Sequence, residues 1–275
     1  MVNTESDVKN IVKCIREGRL LYANLKKTIA YTLAHMVPEL CAVMLAFAIG
    51  FPIGLSSVQV LSIDLITEIP PSIALTYEAG EKDIMCRPPR KSNSRLVSKA
   101  LLVYSYIFVG SIISVGCFTA YLFVFRFYEI TLQDLFHSNV KHWRPNAEVL
   151  LTSTGKYYTA EMQMFIHGQA KAAWHITLVM AQVFHFWLCT TRRISIFNHG
   201  TQNIAAVFAL LIEISLLNFM IYTPGVQHWL RVSHPPAFVW LFCLPVGIVL
   251  IVFNETRKWI IRQYPISYIA RALKW

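Results

Sequence analysis

Six stretches of about 20 mostly apolar residues, each long enough to cross the hydrocarbon core of a bilayer, recur along the chain. They fall at roughly 30–49, 53–75, 100–125, 172–190, 203–222 and 236–253. Polar segments at 76–99, 126–171, 191–202 and 223–235 separate them, and a tail runs from residue 254 onward. Only Gly50, Phe51 and Pro52 lie between the first two stretches, so those form a hairpin. The pattern predicts an all-α fold, a six-helix transmembrane bundle. Residues 1–28 are polar and basic, unlike a secretory leader, so the first span is expected to act as the insertion signal.

Composition sharpens this picture. The 275 residues are 55% hydrophobic and 15% charged, where a soluble domain carries about a quarter charged residues. A net charge of +10 on so apolar a chain points to loops facing an anionic leaflet rather than to nucleic acid. Of the 25 Lys and Arg, 19 lie before the first span, in 76–99, in 191–202 and in the tail. The positive-inside rule then makes both termini cytoplasmic. The longest loop, 126–171, falls outside, and its Trp143, Tyr157 and Tyr158 suit a partner-binding surface. The sequon Asn254-Glu255-Thr256 falls in the cytosol, where it is silent. The six cysteines form no CxxC pair, so neither a disulfide framework nor a zinc site is indicated, and no internal repeat is visible.

Four of the 15 acidic residues, Glu39, Asp64, Glu68 and Glu213, sit inside predicted spans. Each costs about 2.5–3.5 kcal/mol at a helix centre, and the spans as read offer no Lys or Arg to pair with them. The partner can instead be a diffusible cation; alternatively the acids are protonated and hydrogen-bonded between helices. Asp64 and Glu68 share one helix face, and so do His35 and Glu39. Pro38 precedes Glu39, and Pro70-Pro71 follow Glu68. Proline frees a carbonyl one turn back, and carbonyls beside carboxylates make an oxygen-rich cation site. His175 and His185 read as packing histidines, whereas a protonated His35 would neutralise Glu39 and compete with a bound cation.

Arg192-Arg193-Ile194-Ser195 fits a basophilic kinase pattern, making Ser195 a candidate phosphorylation position; it equally fits basic anchors at a span end. No phosphate-binding Gly-rich loop is present, so ATP hydrolysis by this chain alone is excluded. A pore-loop sequence of the kind a six-span channel needs is not visible.

An ordered series of motifs carries a resemblance. Glu17-Gly18-Arg19, Asn24-Leu25-Lys26-Lys27, Ile29-Ala30-Tyr31-Thr32-Leu33 and Pro38-Glu39 resemble the stalk and fifth span of the Na+/K+- and H+/K+-transporting P-type ATPase α subunits. Ile63-Asp64-Leu65 and Thr67-Glu68 resemble the sixth span, and Tyr77-Glu78, Asp83-Ile84-Met85 and Arg87-Pro88-Pro89-Arg90 the loop after it. Thr191-Arg192-Arg193, Tyr222-Thr223-Pro224-Gly225, and Glu255-Thr256-Arg257-Lys258 with Ile260-Ile261-Arg262 follow in order.

The resemblance implies a stalk remnant over 1–28 and, over 29–275, the carboxyl-terminal transport region, spans five to ten, of a plasma-membrane pump. The phosphorylation, nucleotide and actuator domains and the first four spans are expected to lie outside this sequence. A truncated product or partial gene model is the expectation, and a dedicated short protein is the alternative. The segment itself binds no cofactor; Na+, K+ or H+ would be the transported ligands, with ATP and Mg2+ acting only in a full-length pump. Carried over, the cation ligands are Glu39, Asp64, Glu68 (where the family usually has aspartate), Gln182 and Glu213. Three positions depart. His35 stands where sodium pumps have serine and gastric-type proton pumps have lysine; Met36 replaces an asparagine, and His185 an aspartate. Ser153-Thr154-Gly155-Lys156 partly keeps the family's β-subunit contact motif. Two functions follow: a cation-translocating pump segment, or a non-pumping membrane protein that binds a β subunit or another pump.

Overall fold

The computed structural model describes residues 8–81, 83–86, 88–89, 95–200, 203–264, 267 and 275. Among them, six helices are long and apolar enough to cross a membrane: Lys9–Ile49, Ser57–Thr76, Lys99–Phe127, Ala160–Cys189, Ile204–Tyr222 and Val239–Gln263. They are numbered here as spans one to six. The sheet content of the described residues is one hairpin, Leu150–Leu151 paired antiparallel with Tyr157–Tyr158. The chain is a multi-pass membrane protein of the all-α class.

Two spans begin earlier than hydropathy suggests. Span one starts at Lys9 and runs for 41 residues, about 60 Å at 1.5 Å per residue. Its first half therefore stands clear of a roughly 30 Å hydrocarbon core as a basic stalk. Span four starts at Ala160 rather than 172, behind a cap in which Thr159 accepts from the Met162 N–H. Its first turns carry Gln163, His167, Gln169 and Lys171, all buried. Gln163 donates to the Glu148 and Tyr158 carbonyls at 2.8 and 2.9 Å, and Gln169 donates to the His234 carbonyl at 2.7 Å. Protein, not lipid, meets these turns, so a transfer scale misses them. Lys171 thus lies within a span, correcting the expectation that the spans hold no lysine.

Span four is the centre of the bundle. Of its most apolar 18-residue window 83% is buried, against at most 44% in any other span. Spans three and six pack along it, and span one crosses it. Close backbone approach makes this possible: a Cβ on Gly247 of span six would come within 2.6 Å of the Phe184 ring. Trp174, fully buried, lies edge-on to Tyr121 at 5.6 Å and to Phe118 at 6.4 Å. At the opposite side, spans one and five pack against span two.

The loop between spans three and four closes over one end. Gly50 turns the chain between spans one and two at φ +75°, and a Cβ there would meet the His137 backbone at 2.8 Å. Trp143 and Tyr158 are core residues of this loop: the indole donates to Ser138 Oγ at 2.8 Å, and the phenol to the Tyr128 carbonyl. Of the three aromatics read as a partner surface, Tyr157 alone is exposed. At the other end, Lys258 donates to Thr191 Oγ1 at 2.8 Å and pairs with Glu255 at 3.2 Å. Arg257 lies over the Tyr104 ring, and Arg192 donates to the Trp275 carbonyl. The Asn254 amide of the sequon is fully buried and accepts from the Tyr104 hydroxyl at 2.6 Å.

Candidate functional site

The two spans richest in acids are also broken helices. Span one is interrupted at His35, between Val8–Ala34 and Met36–Ile49. Pro38 has no N–H, so the Ala34 carbonyl loses its partner one turn on. Span two runs as Ser57–Ser62, then a π-helical turn over Ile63–Thr67, then Ile69–Thr76. The Glu68 N–H reaches five residues back to the Ile63 carbonyl at 3.0 Å, and Pro70 and Pro71 open the following segment. Such bulges concentrate at functional positions because they re-aim side chains and expose carbonyls.

Four side chains converge where these breaks face each other. His35 Nε2 lies 3.0 Å from Asp64 Oδ1 and 3.2 Å from Glu68 Oε2. One ligand atom each from His35, Glu39 and Asp64 lies within 4.8 Å of the others. His35, Glu39 and Glu68 are buried, while the Asp64 side chain is 43% exposed and forms the mouth of the cluster. His35 Nδ1, Glu39 Oε1 and Glu68 Oε1 are buried with no hydrogen-bond partner. Helical spacing pairs His35 with Glu39; in three dimensions its hydrogen-bond-length contacts cross to span two.

The remaining predicted ligands stand further out. Glu213 of span five is fully buried, neither of its oxygens has a partner, and it interacts electrostatically with Glu68. Gln182 of span four is fully buried with both amide atoms unpartnered. The departures separate sharply. Met36 turns outward, where Tyr106 donates to its sulfur at 3.7 Å. His185 is fully buried away from the acids, within 3.5 Å of the Ala30 carbonyl and 3.3 Å of Cys189 Sγ, and stacked on Tyr31. His175 is a packing histidine against Gln59 at 3.4 Å.

Sequence reading missed Tyr31. It is fully buried, its hydroxyl has no partner, and it interacts with both Glu68 and Glu213. Its place one turn before His35 on span one was the available signal.

The peripheral candidates lie on the surface. Ser153, Thr154, Gly155 and Lys156 form the exposed turn of the hairpin, with Thr154 donating to the Glu129 carbonyl at 3.0 Å and Lys156 pairing with Glu129 at 2.8 Å. Burial raises the cost of charging Asp134 beneath this turn. Hydrogen bonds from the Thr131 and Ser153 N–H and hydroxyl groups outweigh it and hold the carboxyl below its ordinary pKa. Ser195 is half-buried at the start of Ile196–His199 and lies against Glu255, which also accepts from the Ile196 N–H at 3.3 Å. A phosphate there would meet that carboxylate as well as the arginines. Of the quoted motif residues, Arg87 and Arg90 lie outside the described residues.

Residues 52–260 match the family described as "Cation transporting ATPase, C-terminus". The chain is 33% identical, over 98% of its own length, to sodium/potassium-transporting ATPase subunit alpha-2 from Rattus norvegicus and from Homo sapiens, covering 27% of each. It is equally similar to the human alpha-4 subunit, of which it covers 26%. The chain thus spans about a quarter of the length of these relatives. It belongs to the family of cation-transporting ATPase carboxyl-terminal regions.

Proposed function

We propose that this chain supplies the cation-binding membrane part of a P-type ATPase resembling the Na+/K+- and H+/K+-exchanging pumps. Coupled to phosphorylation, nucleotide and actuator domains, it moves monovalent cations across the plasma membrane, its basic end facing the cytosol. The observation that carries this reading is the meeting of Glu39, Asp64 and Glu68 at two facing helix breaks, where Glu39 Oε1 and Glu68 Oε1 are buried with no hydrogen-bond partner. Buried acids without partners are expensive in a membrane, and a cation taken from solution can satisfy their oxygens. Glu213 and Gln182 extend the polar path towards spans five and four. The exposed turn Ser153–Lys156 is the surface for a β subunit.

His35 acts, when protonated, as a built-in cation. Its Nε2 already bridges Asp64 and Glu68 at 3.0 and 3.2 Å, where a transported ion would sit, so fewer charges move per cycle. The test is K+-stimulated dephosphorylation of a full-length chimera carrying this segment, with His35 or His35→Ser. The expected result is stronger stimulation in the serine form than in the histidine form, by a margin that varies with pH between 5.5 and 8. Equal stimulation from pH 5.5 to 8 refutes the role of His35.

A second reading, a non-pumping membrane protein that binds a β subunit or a full pump, is favoured by Met36 alone. That side chain faces outward at a position where the resemblance expects a ligand. The same chimera separates the two, since a non-pumping segment gives no cation-stimulated turnover in either form.

A further inference from the structure

The donor set at the two helix breaks differs from what a monovalent-ion seat needs. Na+ and K+ are hard ions that take oxygen ligands, whereas an imidazole nitrogen among carboxylates suits zinc and its neighbours. We propose that His35, Glu39 and Asp64, with Glu68 beside them, form a site for a divalent transition-metal ion of the zinc class. This inference rests on the reading of the cluster as a cation seat and names a further ion for it.

Geometry supports the assignment. Zinc bound at about 2.0–2.2 Å to each of its nitrogen and oxygen ligands holds those ligands roughly 3.3–3.5 Å apart in a tetrahedron. His35 Nε2 stands 3.0 Å from Asp64 and 3.2 Å from Glu68, near that spacing before any ion arrives. Glu39 places a ligand atom within 4.8 Å of those of His35 and Asp64. Two buried carboxylate oxygens are unpartnered, Glu39 Oε1 and Glu68 Oε1, as is His35 Nδ1. An acidic cluster alone would not single out a metal; the imidazole and these two orphaned oxygens do.

Such an ion ties the break in span one to the π-helical turn in span two. It therefore occupies the seat of the transported cation and blocks it.

The experiment uses the purified chain in lipid nanodiscs. Zn2+ affinity is measured by chelator competition, Co2+ is added as a spectroscopic probe of its ligands, and Rb+ serves as the K+ congener. The variants are His35→Ser, His35→Gln, Asp64→Asn, Glu39→Gln, Glu68→Gln and the double substitution Cys14→Ser with Cys86→Ser, each checked for helicity. The expected result is one Zn2+ per chain, weakened at least about tenfold by the His35 and Asp64 substitutions and unaffected by the cysteine changes or by excess Mg2+. The visible Co2+ bands should vanish with His35. Unchanged Zn2+ affinity in both His35 variants overturns the proposal, as does loss of binding with the cysteines or displacement by equimolar Mg2+. If Rb+ binding still depends on Glu39 and Glu68 in that event, the cation-seat reading stands and this inference alone has failed. If neither ion responds to Glu39→Gln or Glu68→Gln, the seat itself is refuted.

Discussion

Spans three, four and six hold shape, whereas spans one, two and five hold charge. In the first group, glycines let helices approach closely and aromatic rings fill the contacts, as at Gly247 with Phe184 and around Trp174. In the second, spans one and two break beside their acids while span five runs unbroken, and Glu39 Oε1, Glu68 Oε1 and both Glu213 oxygens lack partners. Span three of the first group has a π-helical stretch too, Val103–Gly110, but no acid beside it. Proline alone does not explain the contrast. Pro245 sits inside span six without ending the helix, while Pro38 and Pro70-Pro71 flank breaks. The difference is the company: Pro245 stands among apolar residues, Pro38 and Pro70-Pro71 beside carboxylates. A freed carbonyl among apolar side chains is held by the helix around it, but one beside acids can be turned towards an ion.

If this division is right, the two groups respond to substitution in opposite ways. The largest effect is expected from Trp174→Ala. Removing a fully buried indole with an unpartnered N–H loses packing and no hydrogen bond, and should cost about 3–5 kcal/mol. Thermal unfolding of the purified chain checks this, and cation binding per folded molecule should be unchanged. Gly247→Leu comes next, at about 1–3 kcal/mol, because the new side chain must displace Phe184 at the span four–span six contact.

Glu68→Gln should do the reverse. It keeps volume and removes a buried charge, so stability should hold or rise, while Rb+ binding measured on the same sample should fall at least about tenfold, equivalent to ~1.4 kcal/mol. A variant that lowered both together would erase the distinction between the two groups.

How far the sequence reached follows the same division. Apolar run length was enough to find six spans, because lipid-facing surface is what a transfer scale measures; exposed Leu40, Met44 and Phe47 of span one are examples. Where protein replaces lipid the reading stops short, as in the buried polar turns of span four from Gln163 to Lys171. At the site, the rarity of acids in apolar stretches picked out Glu39, Asp64, Glu68 and Glu213. Periodicity relates residues within one helix only. It therefore paired His35 with Glu39 and could not see that the helix break turns His35 across to Asp64 and Glu68. It also left open which way Met36 faces.

The smallest effect belongs to the loop, which sits over the charge-holding spans without being part of them. Asp134 accepts from the Thr131 N–H at 2.9 Å and the Ser153 N–H at 3.0 Å, joining the start of a short helix to the hairpin turn. Since its folded pKa is lowered, its contribution is complete above the unfolded value, about 3.9. It disappears as pH falls through the folded value below that. No change in loop stability is therefore expected between pH 7 and pH 5, and a loss should set in only under about pH 4. Hydrogen exchange of the Thr131 and Ser153 amides reads this directly. Asp134→Ala should abolish the acid-dependent step and loosen the turn by about 1 kcal/mol at neutral pH, with Rb+ binding at Glu39 and Glu68 unaltered. A drop in Rb+ binding would mean that the loop and the acid cluster are coupled through the Gly50–His137 contact, which brings the turn after span one against the loop backbone.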